Sequence, residues 1–288
     1  MNVRMLTALA LLVAACATPT PAPTTVASPA GPVPQIPFDV LKPAGAGPFP
    51  AVVMLHDCSG LGPRSSGAPR RWARELVDKG YVVAIPDSFS TRGFPAGVCV
   101  EPSPDSIRVG PFRRVVDAYD TLDYLRSLPY VDGHRVAVMG GSHGGYSTLA
   151  SIVLSPRDPP SLDERKRQDF AAAIALYPSC DIGNPRWDSE YKAAAPLLIL
   201  SGELDDWTPA APCVQLVEAA TRGGSKATIK VYPGAHHSFD GSSPIRFVAE
   251  RNNAHAPGGR GATTGGNPEA WADSRQQVAS FLDRYLRH

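Results

Sequence analysis

Ser142 lies in the stretch Gly140-Gly141-Ser142-His143-Gly144-Gly145, one hydroxyl among four glycines, directly after the apolar run at 136–139. A serine hydroxyl is a poor nucleophile at neutral pH. It needs a histidine to accept its proton and a carboxylate to hold that imidazole in one tautomer. The glycines have a mechanical reason. A serine displayed on a sharp strand-to-helix turn sits in a strained backbone conformation with its neighbours pressed against adjacent elements, so positions two before and two after must be small. Carboxylates are offered by "GELDDWTP", with Asp205 and Asp206, and imidazoles by "PGAHHSF", with His236 and His237. Of the remaining histidines, His134 precedes its strand, His143 belongs to the turn, and His255 and His288 lie in a surface excursion and at the terminus. His56 follows an earlier strand.

These groups can meet only if the intervening chain brings them to one edge of a sheet. The runs "AVVML" (51–55) and "YVVAIP" (81–86) are apolar throughout and bounded by Gly or Pro, which suits strands buried on both faces of a parallel sheet. Further strands are expected at 135–139, 171–176, 196–201 and 227–232, with helices in "GAPRRWARELVDKG", over 111–129, from Ser142, from Pro209 and over about 268–286. In the 111–129 helix Val115, Tyr119, Leu122 and Leu125 share a face, and Arg113, Arg114, Asp117 and Asp120 are assigned to solvent. Residues 241–267, rich in Gly and Asn, read as a mobile surface excursion. Alternating strands and helices give an α/β class, a mainly parallel central sheet with helices on both faces. Ligands bind such sheets beyond the carboxyl ends of the strands. Ser142, the Asp205–Asp206 pair and the His236–His237 pair each follow a strand, in the order Ser…Asp…His of an α/β-hydrolase fold.

The combination "VVMLHDCSGL…GYVVAIPDSF…GGSHGG…GELDDWTP…YPGAHHSF" resembles the dienelactone hydrolase family over most of residues 50–240. The resemblance implies that the catalytic histidine directly precedes Ser-Phe, hence His237. It places the acid four residues before the proline, hence Asp205. It implies a cofactor-free hydrolysis with Ser142 as nucleophile and an oxyanion held by the main-chain N–H groups of His143 and Cys58. The founding members of that family use a cysteine as nucleophile. Ser142 stands there in this chain, so the resemblance carries ester or lactone hydrolysis rather than dienelactone as the substrate. Rival readings are a peptidase or amidase on the same fold and a catalytically inactive binding protein. His56, Asp57, Arg92 and Trp207 are candidate substrate contacts. A hydrogen-bonded interior histidine and simple packing are the first readings of His56 and Trp207, and a loop turn and a surface salt bridge explain Asp57 and Arg92 as well. "GGRGATTGG" lacks the Gly-Lys-Ser/Thr ending of a phosphate loop and is set aside.

The chain has 288 residues, 43% of them hydrophobic, enough for one sizeable α/β domain, expected over 38–288. Lys+Arg (28) nearly balance Asp+Glu (27), and no basic stripe suggests nucleic acid as a partner. "MNVRMLTALALLVAAC" has the layout of an export signal over 1–15, too short to span a bilayer. It ends in a sequence resembling a lipobox at Cys16, which implies an exported, lipid-anchored protein of the periplasm or cell envelope. The Pro/Thr/Ala-rich segment 16–37 reads as an extended tether. Four cysteines remain, and export makes disulfides the expectation. Cys58–Cys99 and Cys180–Cys213 are favoured because each pair follows neighbouring strands. No CxxC and no histidine at ligand spacing support a metal site, and none is expected.

Overall fold

The computed structural model describes residues 36–100, 108–155, 165–167, 169–181 and 190–287. The expected export signal, Cys16 and the expected tether up to residue 35 lie outside them. Seven strands form the central sheet: β1 (Phe38–Leu41), β2 (Phe49–Leu55), β3 (Val82–Pro86), β4 (Val131–Gly141), β5 (Ala172–Leu176), β6 (Leu197–Gly202) and β7 (Ala227–Tyr232). Their order is β1-β3-β2-β4-β5-β6-β7, parallel except for β1, which pairs antiparallel with β3. Among the described residues they are accompanied by α1 (Ala68–Asp78), α2 (Arg113–Ser127), α3 (His143–Ile152), α4 (Ala210–Arg222) and α5 (Pro268–Leu286). β1 carries no signal in the sequence. It is four half-buried residues at a sheet edge, too short and too mixed to show a period.

The apolar strand runs follow from burial on both faces. Successive side chains of a strand point to opposite sides. Val53 and Leu55 accordingly join Ala173, Ala175 and Ile199 under α2, α3 and α4, while Val52 and Met54 join Ile174, Leu198 and Leu200 under α1 and α5. All six expected strands and five expected helices are present. The sequence pattern fails on part of α2. Arg114 and Asp117, assigned to solvent, are 0% and 2% exposed. Asp117 accepts two hydrogen bonds from Arg92, at 2.5 and 2.6 Å, and Arg92 comes from the loop after β3. A helix's apolar period reports the face turned to the sheet, not a cover supplied by a distant loop.

The second correction concerns residues 241–267. They contain an antiparallel hairpin, β8 (Arg246–Asn252) and β9 (Arg260–Thr264), not a mobile excursion. Its order comes from long-range polar contacts that no local apolar pattern announces. Asp206 accepts from the Thr263 N–H and hydroxyl, Trp207 Nε1 donates to the Asn252 carbonyl, and the Asn252 N–H donates to the Cys99 carbonyl. Disulfides join Cys58 to Cys99 and Cys180 to Cys213, with Cα atoms 5.0 and 5.1 Å apart. Cys213 lies inside α4 rather than in a loop. Disulfides point to folding in an oxidising compartment. Among the described residues no helix is long and apolar enough to cross a membrane.

Candidate active site

Ser142 connects β4 directly to α3 at φ 54°, ψ −118°, a conformation costly for a residue with a side chain. Its N–H donates to the Leu176 carbonyl and its own carbonyl accepts from Tyr146, which fixes the turn from both sides. Close backbone approach explains two of the glycines. A Cβ on Gly140 would lie 2.5 Å from Gly144 backbone, and one on Gly144 would lie 2.1 Å from the Leu55 carbonyl. His237 follows β7, and its Nε2 is 2.9 Å from Ser142 Oγ. Its Nδ1 is 2.8 Å from Asp205 Oδ2. Asp205 follows β6, and its Oδ1 accepts the N–H groups of Trp207 and Thr208. A carboxylate can only accept, so Nδ1 carries the proton and Nε2 is free to take the one on Ser142. All three groups are buried, with exposures of 7%, 5% and 1% for Ser142, Asp205 and His237.

The imidazole is wedged in place. Tyr177 and Trp207 pack their rings 4.8 and 4.7 Å from it, and Thr208 Oγ1 lies 3.0 Å from both Nδ1 and Asp205 Oδ2. The Thr264 hydroxyl and the Gly265 N–H hold the His237 carbonyl, so β9 also anchors His237. Above the serine opens a cleft of about 280 Å³, walled by Ser142, His143, Tyr146, Trp207, Asn252 and the Cys58–Cys99 bridge, among others. Beneath the turn, Asp240 accepts from Trp72 Nε1 and the Tyr177 hydroxyl, and burial raises its pKa. On the other flank Arg114 donates to the His56 carbonyl and to His143 Nδ1, both at 2.8 Å. Burial first, and then the Arg114 charge, pushes the pKa of His56 and His143 well below the usual histidine value.

A family model of the dienelactone hydrolase family matches residues 38–286. The chain belongs to that family. As a dienelactone hydrolase family member it has the α/β-hydrolase fold. It is similar to a Porphyromonas gingivalis protein named dipeptidyl-peptidase 5, 24% identical over 58% of this chain and 27% of that one. It therefore spans about a quarter of that peptidase's length. It is also similar to an Escherichia coli O157:H7 protein named "Putative carboxymethylenebutenolidase", 26% identical over 67% of this chain and 69% of the relative. Among solved structures, Thermogutta terrifontis esterase 2 shares the fold with a TM-score of 0.57 and 18% identity, covering 86% of this chain and 88% of that one.

In this family member the four candidate substrate contacts separate. Trp207 walls the cleft. His56 is fully buried, its Nδ1 paired with the Asp57 carbonyl and its Nε2 accepting from the Ser88 N–H. Asp57 closes a turn, accepting from the Ser59 N–H and hydroxyl and the Ser66 hydroxyl. Arg92 is held by Asp117 and the Ser88 carbonyl, in an ion pair more buried than the surface bridge expected. These three do not line the cleft. Asp206 is engaged by β9, and His236 Nδ1 pairs with the Leu204 carbonyl, so Asp205 and His237 are the members brought to Ser142. Sequence reasoning missed Thr208, Tyr177, Asp240 and Arg114. Thr208 and Asp240 stand within three residues of Asp205 and His237, a proximity that signals them. Tyr177 and Arg114 give no local signal.

Proposed function

We propose that this protein is an exported serine hydrolase that cleaves a carboxylic ester or lactone through an acyl-enzyme. The observation that carries the reading is the unbroken relay Ser142 Oγ–His237–Asp205, 2.9 and 2.8 Å, opening into a cleft. His237 takes the hydroxyl proton as Ser142 Oγ bonds to the carbonyl carbon. Asp205 holds the imidazole and offsets its charge once it is protonated. The main-chain N–H groups of Cys58 and His143 receive the oxyanion. The His143 amide belongs to the first turn of α3, where N–H groups have no intrahelical acceptor. Collapse expels the alcohol with the proton from His237, and water activated by the same imidazole releases the acid.

Export belongs to the same reading and is supported by the two disulfides, while lipidation at Cys16 rests on the sequence alone. The similarity to a peptidase makes amide bonds the second substrate class. A fluorophosphonate probe should label the protein at Ser142, and Ser142→Ala should abolish both labelling and turnover. A panel of matched aryl esters, lactones and anilides then decides between the classes. Labelling that persists in Ser142→Ala, or anilides cleaved faster than esters, rejects the ester reading.

A further inference from the structure

Arg114 is 0% exposed, and among the described residues it forms no ion pair. Its Nε has no hydrogen-bond partner, and its guanidinium lies 5.2 Å from the centre of the Phe89 ring. A buried cation with no carboxylate in direct contact is costly even though the charges of Asp117, Asp57 and Asp87 offset part of the burial, and an apolar side chain of similar volume would fill the same space more cheaply. Burial drives its pKa down to about 10, which still leaves it charged at neutral pH. What it does with that charge is specific. Nη2 donates to the His56 carbonyl, two residues before Cys58, and Nη1 donates to the ring of His143, the residue after the nucleophile.

These partners lie on opposite sides of one seam. A Cβ on Gly144 would stand 2.1 Å from the Leu55 carbonyl and 2.6 Å from that of His56, so the end of β2 and the start of α3 touch backbone to backbone. An arginine offers donors and no acceptor, so His143 Nδ1 presents its lone pair to Nη1 and the ring proton resides on Nε2. A planar guanidinium fixes the spacing and angle of two partners at once, which a lysine cannot do.

We propose that Arg114 is a positioning residue for the oxyanion site. Its guanidinium ties the His56 carbonyl to the His143 ring and so sets the separation of the Cys58 and His143 main-chain donors. The inference rests on the hydrolytic reading above. Donors must meet the oxyanion at about 2.7–3.1 Å, and the interaction is strongest in the transition state. Loss of the clamp therefore lowers kcat and leaves KM.

The test compares wild type with Arg114→Met, Arg114→Lys, His143→Ala and His143→Asn. Arg114→Met should lower kcat about tenfold or more with KM held within about twofold, and weaken an alkyl boronic acid, a tetrahedral mimic, by the same factor. Arg114→Lys should fall between the two. His143→Asn, which keeps an acceptor near the Nδ1 position, should retain more activity than His143→Ala. Should Arg114→Met not fold, the His143 pair decides, together with ring ¹⁵N shifts of wild-type His143. These should show Nδ1 unprotonated and Nε2 protonated across roughly pH 5–8. Unchanged kcat and boronate affinity in folded Arg114→Met, or a protonated Nδ1, overturns the inference. Fluorophosphonate labelling of the wild type keeps the two questions apart. No labelling at Ser142 removes the hydrolytic reading, whereas labelling at equal rates in wild type and Arg114→Met removes only the role of Arg114.

Discussion

Adjacent, chemically identical side chains acquire different duties here from what reaches them. Asp205 Oδ2 meets His237, whereas both oxygens of Asp206 are taken by Thr263. Asp205→Asn should lower kcat by about 10³-fold or more, because the amide favours the wrong imidazole tautomer. Asp206→Asn should leave kcat within a few-fold of wild type, since it perturbs only a hairpin contact; steady-state kinetics on a p-nitrophenyl ester separates the two. The same comparison between His236 and His237 turns on a backbone carbonyl against a hydroxyl. The motif carries the residue types to this place, and one-residue discrimination depends on which partner the fold delivers.

At the scale of elements, the two disulfides serve different parts of the structure. Cys58–Cys99 joins the loops after β2 and β3 in the wall of the cleft, and the Cys99 carbonyl also receives the Asn252 N–H of the hairpin. Cys180–Cys213 joins the segment after β5 to α4 across 33 residues. Removing the second bridge as Cys180→Ala/Cys213→Ala should cost roughly 3–4 kcal/mol of stability, mainly by freeing the unfolded chain. Denaturant titration reads that loss, with kcat nearly unchanged. Cys99→Ser opens a loop of 41 residues and should cost a similar amount of stability, and it should also lower kcat, because it frees the loop that carries the Cys58 N–H. The elements themselves were legible wherever burial was two-sided. The runs that became β2, β3 and β5 are apolar throughout and that of β6 nearly so, whereas β7, with Thr228 and Lys230, is only half-buried; the helix over 268–286 is readable to its bounds. β1, β8 and β9 escaped because an edge strand and an exposed hairpin need no continuous apolar signal.

Across the whole molecule, burial of ionisable groups makes stability depend on pH. His56 and His143 both have folded pKa values pushed well below the unfolded value, so the unfolded chain takes up their protons first as pH falls. Stability is therefore fully present above about pH 6.5 and declines as pH drops below it. Melting temperature should fall from about pH 7 to pH 5, and His143→Asn should flatten the slope by removing one of the two groups. An unchanged slope in that variant would mean that the His143 ring is not kept neutral by the fold.

By itself the sequence determined the α/β class, the strand-to-helix turn at Ser142, the chain order of the three reactive groups and the cysteine pairs. Each is written in local pattern: apolar runs, small residues around one serine, and chemistry placed just past a strand. Tertiary structure alone decided that Arg114 and Asp117 are interior, that the 241–267 segment anchors His237, and that Arg92 belongs to Asp117. Those outcomes depend on contacts between residues far apart in the chain. The free energy of burying a charge is set by the partner that arrives from elsewhere, and no local window of residues contains that partner.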